Sequence, residues 1–136
     1  MDFSYIKLPR GAEMRTPYEG ELAYFEKNVK VAGMATEDGK VILNPYAGLK
    51  PAEYQSVAIN ESARLLMKKD PSLVPDFDLT DQQNTMLDTS TYRNASDEDR
   101  RATIAARLLA EDPSGGIPTS EQQLFVDDLR NKLFNN

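Results

Sequence analysis

Residues 50–69 read KPAEYQSVAINESARLLMKK, and this run decides the fold. Pro51 suits a first helical position, where its missing N–H has no intrahelical partner to lose. Nothing from Ala52 to Lys69 breaks a helix, and Lys68 and Lys69 fall at the negative C-terminal end of the helix dipole. At 100° per residue, Tyr54, Val57, Ala58 and Leu65 form one apolar stripe. Glu61 projects into the middle of that stripe, between Val57 and Leu65. A carboxylate so placed must be paired, protonated or set at a wet cleft.

Three capped helices are expected downstream. Thr80-Asp81-Gln82-Gln83 is a capping box with Leu79 in the staple position before it. Ser96 precedes Asp97, Glu98 and Asp99, three acids suited to a helix N-terminus, and that helix is expected to reach about Glu111 with Ile104, Ala105 and Leu108 inward. Thr119-Ser120-Glu121-Gln122 opens the last, with Leu124, Phe125, Leu129 and Leu133 expected to face the core. The grammar repeats. Ala63-Arg64-Leu65-Leu66, Asp70-Pro71-Ser72 and Gln82-Gln83 are echoed by Ala106-Arg107-Leu108-Leu109, Asp112-Pro113-Ser114 and Gln122-Gln123, at offsets of 43, 42 and 40 residues. The echo predicts two similar helical corners packed together, in each of which the Asp-Pro step ends a helix.

Upstream, Thr16 and Pro17 read as N-cap and first turn of a short helix that ends at Asn28, with Tyr18, Leu22 and Phe25 on one face. The period then changes to two. VAGMA (31–35) and KVILN (40–44) flank Thr36-Glu37-Asp38-Gly39, and Asp-Gly marks a hairpin turn. A lone hairpin is marginal in water, so this one must lie on a helix or join a partner's sheet. Residues 1–16 read as an extended arm, too apolar at Phe3, Tyr5, Ile6 and Leu8 for an idle tail. These four are the candidate interaction residues, packing on their own domain or on a neighbouring subunit. The expected architecture is therefore mainly α: four to five helices in a compact bundle with one β-hairpin (31–44) near the N-terminal end. It comprises an arm over 1–16 and a single domain over 17–136.

Composition narrows function. The 136 residues contain no His, Cys or Trp, which removes catalytic triads, Cys–His pairs and thiolate or imidazole zinc sites. No apolar run approaches a membrane span or a signal peptide. Residues 1–69 carry ten Lys/Arg against nine Asp/Glu, and residues 70–136 carry six against thirteen. An acidic C-terminal half opposes nucleic acid as a partner and suits a basic protein. Asp76–Asp81 resembles the start of a calcium loop but has Asp81 where glycine is needed and Leu87 where the bidentate acid is needed. Gly115-Gly116 has neither the Lys nor the strand of a phosphate cradle. No cofactor or metal is expected. Tyr18, Tyr24, Tyr46, Tyr54 and Tyr92 read as half-buried core and interface residues. For catalysis the one candidate is Glu61, a structural partner of Arg64 or the acid of a glycan-cleaving pair with Asp76 or Asp78.

VAGMATEDGKVILNPYAGL (31–49), followed by Val57-Ala58-Ile59-Asn60-Glu61-Ser62-Ala63-Arg64-Leu65, resembles small proteins encoded by tailed bacteriophages, especially short-tailed ones. Their run is a VAGMA hairpin, an ILNPYS-like turn and a helix with an NExxRL core. Thr80–Gln83, Arg101–Arg107 and Asp112-Pro113-Ser114 extend the likeness over roughly residues 17–136, while Ala47 stands where the pattern has Ser. The resemblance implies a setting, the virion and the host cytoplasm during assembly, and carries over no catalytic residue. Its motif positions are Asn44, Pro45, Tyr46, Asn60, Glu61 and Arg64, and Asn60 and Glu61 are expected to tie the NPY turn to the long helix. The leading expectation is a multi-copy, non-enzymatic virion structural or accessory protein that contacts itself or other virion proteins. A small cell-wall glycan or peptide hydrolase using Glu61 and an acidic intracellular regulator of a basic host protein are the alternatives. Deleting residues 1–16 is expected to abolish assembly and spare the fold.

Overall fold

The run at 50–69 is the helix the sequence predicts. In the computed structural model, which describes residues 2–135, five α-helices and a two-stranded hairpin follow one another as α1 (Glu19–Lys27), β1 (Gly33–Ala35), β2 (Val41–Leu43), α2 (Pro51–Lys69), α3 (Asp81–Met86), α4 (Asp97–Leu109) and α5 (Ser120–Phe134). Short 3₁₀ turns at Pro71–Leu73 and Pro113–Gly115 follow α2 and α4. The mainly α architecture with an N-terminal hairpin is thus present.

Helix α2 serves two cores. Tyr54 and Ala58 pack with Val41 and Leu43 of the hairpin, whereas Ala63, Leu66 and Met67 pack with Ile104, Ala105, Ala106 and Leu109 of α4. Alanines at 58, 63, 105 and 106 are all fully buried, and such small side chains let two helix backbones approach closely. The buried stripe runs through 54, 58, 62 and 66, one residue away from the stripe expected on Val57 and Leu65. Those two residues and Glu61 lie on its half-buried flank.

The hairpin pairs Gly33 with Leu43, Met34 with Ile42 and Ala35 with Val41. Gly39 sits at φ +77° in the turn, a conformation that suits glycine, while Thr36 N–H donates to Lys40 C=O. The arm completes the sheet. Val41 N–H donates to Glu13 C=O and Val41 C=O accepts from Arg15 N–H, so Met14 runs parallel to β2 on its other side. Further along the arm, the Gln55 carboxamide bonds both N–H and C=O of Lys7, and Arg10 N–H donates to Leu133 C=O at the end of α5. Phe3, Ile6 and Leu8 pack on the hairpin–α2 core, with the Phe3 ring edge-on to Tyr54 at 4.8 Å. The arm is part of the fold, so its deletion would strip β2 of a neighbour and uncover a core rather than spare the domain.

Three local expectations need correction. Helix α1 starts at Glu19 behind Tyr18, not behind Thr16, because the Glu21 carboxylate accepts the Tyr18 N–H at 2.8 Å. Leu124 is 71% exposed: Gln122, Val126, Leu129 and Leu133 hold the inner face of α5, and Leu124 lies about 200° around from Gln122. Helix α4 ends before the Asp-Pro step, with Glu111 at φ +57°. There Asp112 N–H bonds Arg107 C=O and Glu111 N–H bonds Leu108 C=O, a Schellman cap with a non-glycine residue in the left-handed position.

The sequence echo corresponds to two matching corners, α2–3₁₀–α3 and α4–3₁₀–α5. Asp70 and Asp112 each accept the N–H of the Ser two residues on, Ser72 and Ser114. Thr80 and Thr119 cap α3 and α5, accepting from Gln83 and Gln122 N–H. The equivalent glutamines are Gln83 and Gln122 rather than the aligned Gln-Gln pairs, since each is the third helical residue after its Thr. Their buried carboxamides bond each other reciprocally, at 2.9 and 2.8 Å. Gln83→Leu strands the polar atoms of Gln122 and the Gly115 carbonyl, so urea unfolding should show a loss of roughly 2–4 kcal/mol. Gln83→Leu/Gln122→Leu should lose less than the sum of the two single changes, and strict additivity would show that the pair is not coupled.

Candidate functional site

The motif residues gather at two places, a corner built on Asn44 and a cleft beside Glu61. Asn44 is fully buried at the end of the hairpin. Its Nδ2 faces the carbonyls of Phe25 (3.2 Å), Asn28 (3.3 Å) and Val31 (2.7 Å), while Oδ1 accepts Tyr46 N–H at 2.8 Å. One amide therefore fastens the end of α1, the following turn and the NPY turn together. The helix joins through a residue outside the quoted motif: Tyr54 Oη donates to Asn44 C=O at 2.7 Å. Asn60 and Glu61 do not make that tie. They lie nearly two helical turns beyond Tyr54, and the buried Asn60 Oδ1 has no hydrogen-bond partner among the described residues.

This corner displays large apolar side chains. Tyr24 is 47% exposed, Val29 51% and Tyr46 45%, each on a segment that Asn44 fastens. Pro45 is half-buried and, with Phe3, Met14, Leu22 and Leu43, lines a shallow hollow between the arm and the hairpin. Among the arm's candidate interaction residues only Tyr5 presents a largely exposed ring; Phe3, Ile6 and Leu8 are half-buried on their own chain. Arg15 holds the opposite end of the hairpin. It forks onto both Glu21 oxygens at 2.7 and 2.9 Å, reaches Asp38 at 3.2 Å and lies 3.9 Å over the exposed Tyr18 ring. Nothing local in the arm's sequence marks Arg15 for that role, because its partners lie 6 and 23 residues on.

Glu61 opens into a cleft of about 760 Å³ between β1, α2 and the N-terminal half of α4. Carboxylates of Glu37, Glu61, Glu98 and Asp99 line it, with Arg64 and Lys68 as the cations. Tyr92 forms part of the wall, and its ring has Arg64 at 5.9 Å and Arg107 at 5.6 Å, the equivalent arginines of the two repeats. Asp76 and Asp78 are elsewhere: Asp76 meets Arg101 at 3.4 Å, and the Asp78 carbonyl accepts from Gln122. Glu98 and Asp99, which the sequence suggests only as acids at a helix start, share the cleft with Glu61 and Glu37. No group of three or more carboxylates among the described residues forms a metal-ligand set, and no helix there is long and apolar enough to cross a membrane.

Burial pushes the Glu61 carboxyl above its ordinary value of 4.5, against smaller opposing effects from Arg64 and from the Ala35 N–H. A raised acid pKa means that the folded state resists ionisation more than the unfolded one. The fold is therefore relieved of that cost below pH 4.5, and loses stability as pH rises through the folded-state value. Glu61→Gln should raise the unfolding midpoint at pH 7 and leave it unchanged at pH 4. A midpoint lowered equally at both pH values would show instead that the ionised carboxylate supports the fold. Set against protein-family models, curated proteins and solved structures, the chain matches none.

Proposed function

We propose that this protein is a non-enzymatic structural or accessory component of a phage virion, present in several copies and acting through contacts with itself or with other virion proteins. The observation that carries the contact role is the Asn44 corner. Tyr24, Val29 and Tyr46 are exposed on backbone fixed by a buried amide, and rigid exposed tyrosines lose little entropy on docking. The virion setting is supported by the likeness of residues 31–65 to small proteins of tailed phages. Tyr24→Ser/Val29→Ser/Tyr46→Ser changes only exposed side chains, so Tm should stay near that of the parent. Incorporation into purified particles, read as copy number by quantitative mass spectrometry, should fall to background. Incorporation at the parental copy number would remove the corner from the contact, and absence of the parent protein from particles would overturn the virion reading.

One observation favours a second reading, hydrolysis of cell-wall glycan or peptide: Glu61 is half-buried with a raised pKa in a cleft of about 760 Å³. A second carboxylate would then come from Glu98 or Asp99. The purified protein should clear a suspension of peptidoglycan and Glu61→Gln should not; no clearing by the parent protein retires the reading.

A further inference from the structure

We propose that the open edge of β1, where it borders the Glu61 cleft, takes an extended polypeptide segment as an added strand, with a lysine or arginine of that segment meeting the Glu61 carboxylate. The ligand is a protein segment, so the inference rests on the protein-contact reading above, but it concerns a different surface from the Asn44 corner.

The edge follows from the alternation of an antiparallel ladder. Val41 directs its N–H and C=O away from β1, to Glu13 and Arg15 of the arm. Ala35 is paired with Val41, so it too turns its backbone groups out of the ladder, on the opposite side. Gly33, two residues earlier, has the same orientation; neither residue's N–H has a backbone partner among the described residues, and that of Ala35 faces the Glu61 carboxylate, which an added strand would displace toward its own cation. Edges of this kind are normally blunted by charge, by a bulge or by a covering element. Here Ala35 is exposed, and Met34 to Glu37 form a wall of the cleft. The opposite edge of the hairpin shows the same geometry already in use, with an extended segment, the arm, paired to it.

Charge selects the occupant. The cleft has four carboxylates, Glu37, Glu61, Glu98 and Asp99, against Arg64 and Lys68. Arg64 lies 5.9 Å from the Tyr92 ring and acts on Glu61 only from a distance, so the half-buried Glu61 has no salt bridge within 4 Å among the described residues. A cation brought to Glu61 would pair with a carboxylate that is already partly desolvated. Because side chains alternate along a strand, basic residues at every second position would face the cleft while their neighbours face away. The backbone groups that the ladder leaves outward supply affinity and the carboxylates supply the preference for basic side chains.

The full-length protein, labelled with ¹⁵N, should be titrated with the blocked peptide acetyl-Thr-Lys-Val-Lys-Thr-amide. The amide signals of Gly33, Ala35 and Glu37 should shift and saturate, and added salt should weaken the binding. The peptide with Glu in place of both Lys should leave them unmoved. Glu61→Gln should weaken binding of the basic peptide by about tenfold. Ala35→Pro removes an N–H that the ladder leaves outward and that faces Glu61, and should abolish the Ala35 contact; its effect is read only if the variant's spectrum is folded, and Glu61→Gln decides otherwise. No shift at millimolar peptide, shifts confined to Tyr24, Val29 and Tyr46, or binding indifferent to both salt and Glu61→Gln would each overturn the proposal. Loss of particle incorporation in the corner variant together with no peptide binding would leave the contact reading standing and remove only this site.

Discussion

The carboxamides of Gln83 and Gln122 meet inside the helical half, and every polar valence they have is used. Gln83 donates to Gln122 Oε1 and to Gly115 C=O while its oxygen accepts from Gln122 and from Thr80 N–H. Gln122 mirrors this, donating to Gln83 and to Asp78 C=O and accepting from Thr119 N–H and Gln83. Two buried amides without such partners would oppose folding, because each unpaired polar atom costs about 1–3 kcal/mol. Fully paired, they couple the caps of α3 and α5 with the loops that precede both helices. The two corners can therefore assemble in only one register. The alternatives, in which one repeat slides along the other, leave several polar atoms dry.

With that register set, α2 and α4 are brought side by side, and the alanines at their contact let the helices close up. What remains of α2, its N-terminal half, extends past α4 and offers Tyr54 and Ala58 to the hairpin. A three-residue-by-three-residue hairpin has too little surface to stand alone. It is held by α2 beneath it, by the arm along β2, by Asn44 at one end and by the Arg15–Glu21–Asp38 cluster at the other. The N-terminal and C-terminal parts of the chain are thus joined through one helix and through the Arg10–Leu133 hydrogen bond.

The parts of this structure that a reader can take from the sequence are those written within four or five residues. Pro51, Thr80, Ser96 and Thr119 each mark a helix start because a cap is satisfied within its own first turn. Asp38-Gly39 marks the hairpin for the same reason. Where the determinant is distant or unusual, local reading fails. Tyr18 is a poor N-cap by type, and only Glu21 reaching back to its N–H makes it one. Leu124 looks like a core leucine, but the phase of α5 is set by Gln122, whose partner is 39 residues away. The long-helix stripe is displaced by one residue because Ser62 and Ala63, small rather than strongly apolar, are the residues that fit against neighbours. The cleft is the least legible feature, since Glu37, Glu61 and Glu98 come from three separate segments and share no motif.

The arm shows how a chemical reading can leave two partners open and the structure choose between them. Phe3, Ile6 and Leu8 are too apolar to be left in water, and a surface that must be covered is equally well covered by a neighbouring subunit or by the chain itself. Here the chain itself covers it: Gln55 pairs both backbone groups of Lys7, and Glu13 and Arg15 complete Val41. The arm occupies the side of the hairpin that would otherwise invite a foreign strand. Whatever contacts the protein makes must therefore use surfaces the arm leaves uncovered. Among those surfaces are the Tyr24–Val29–Tyr46 corner and the far edge of β1, which ends in an acidic cleft rather than in a covering segment. The asymmetry of the hairpin, paired along one edge and unpaired along the other, separates the edge the chain uses to hold itself together from the edge it leaves open.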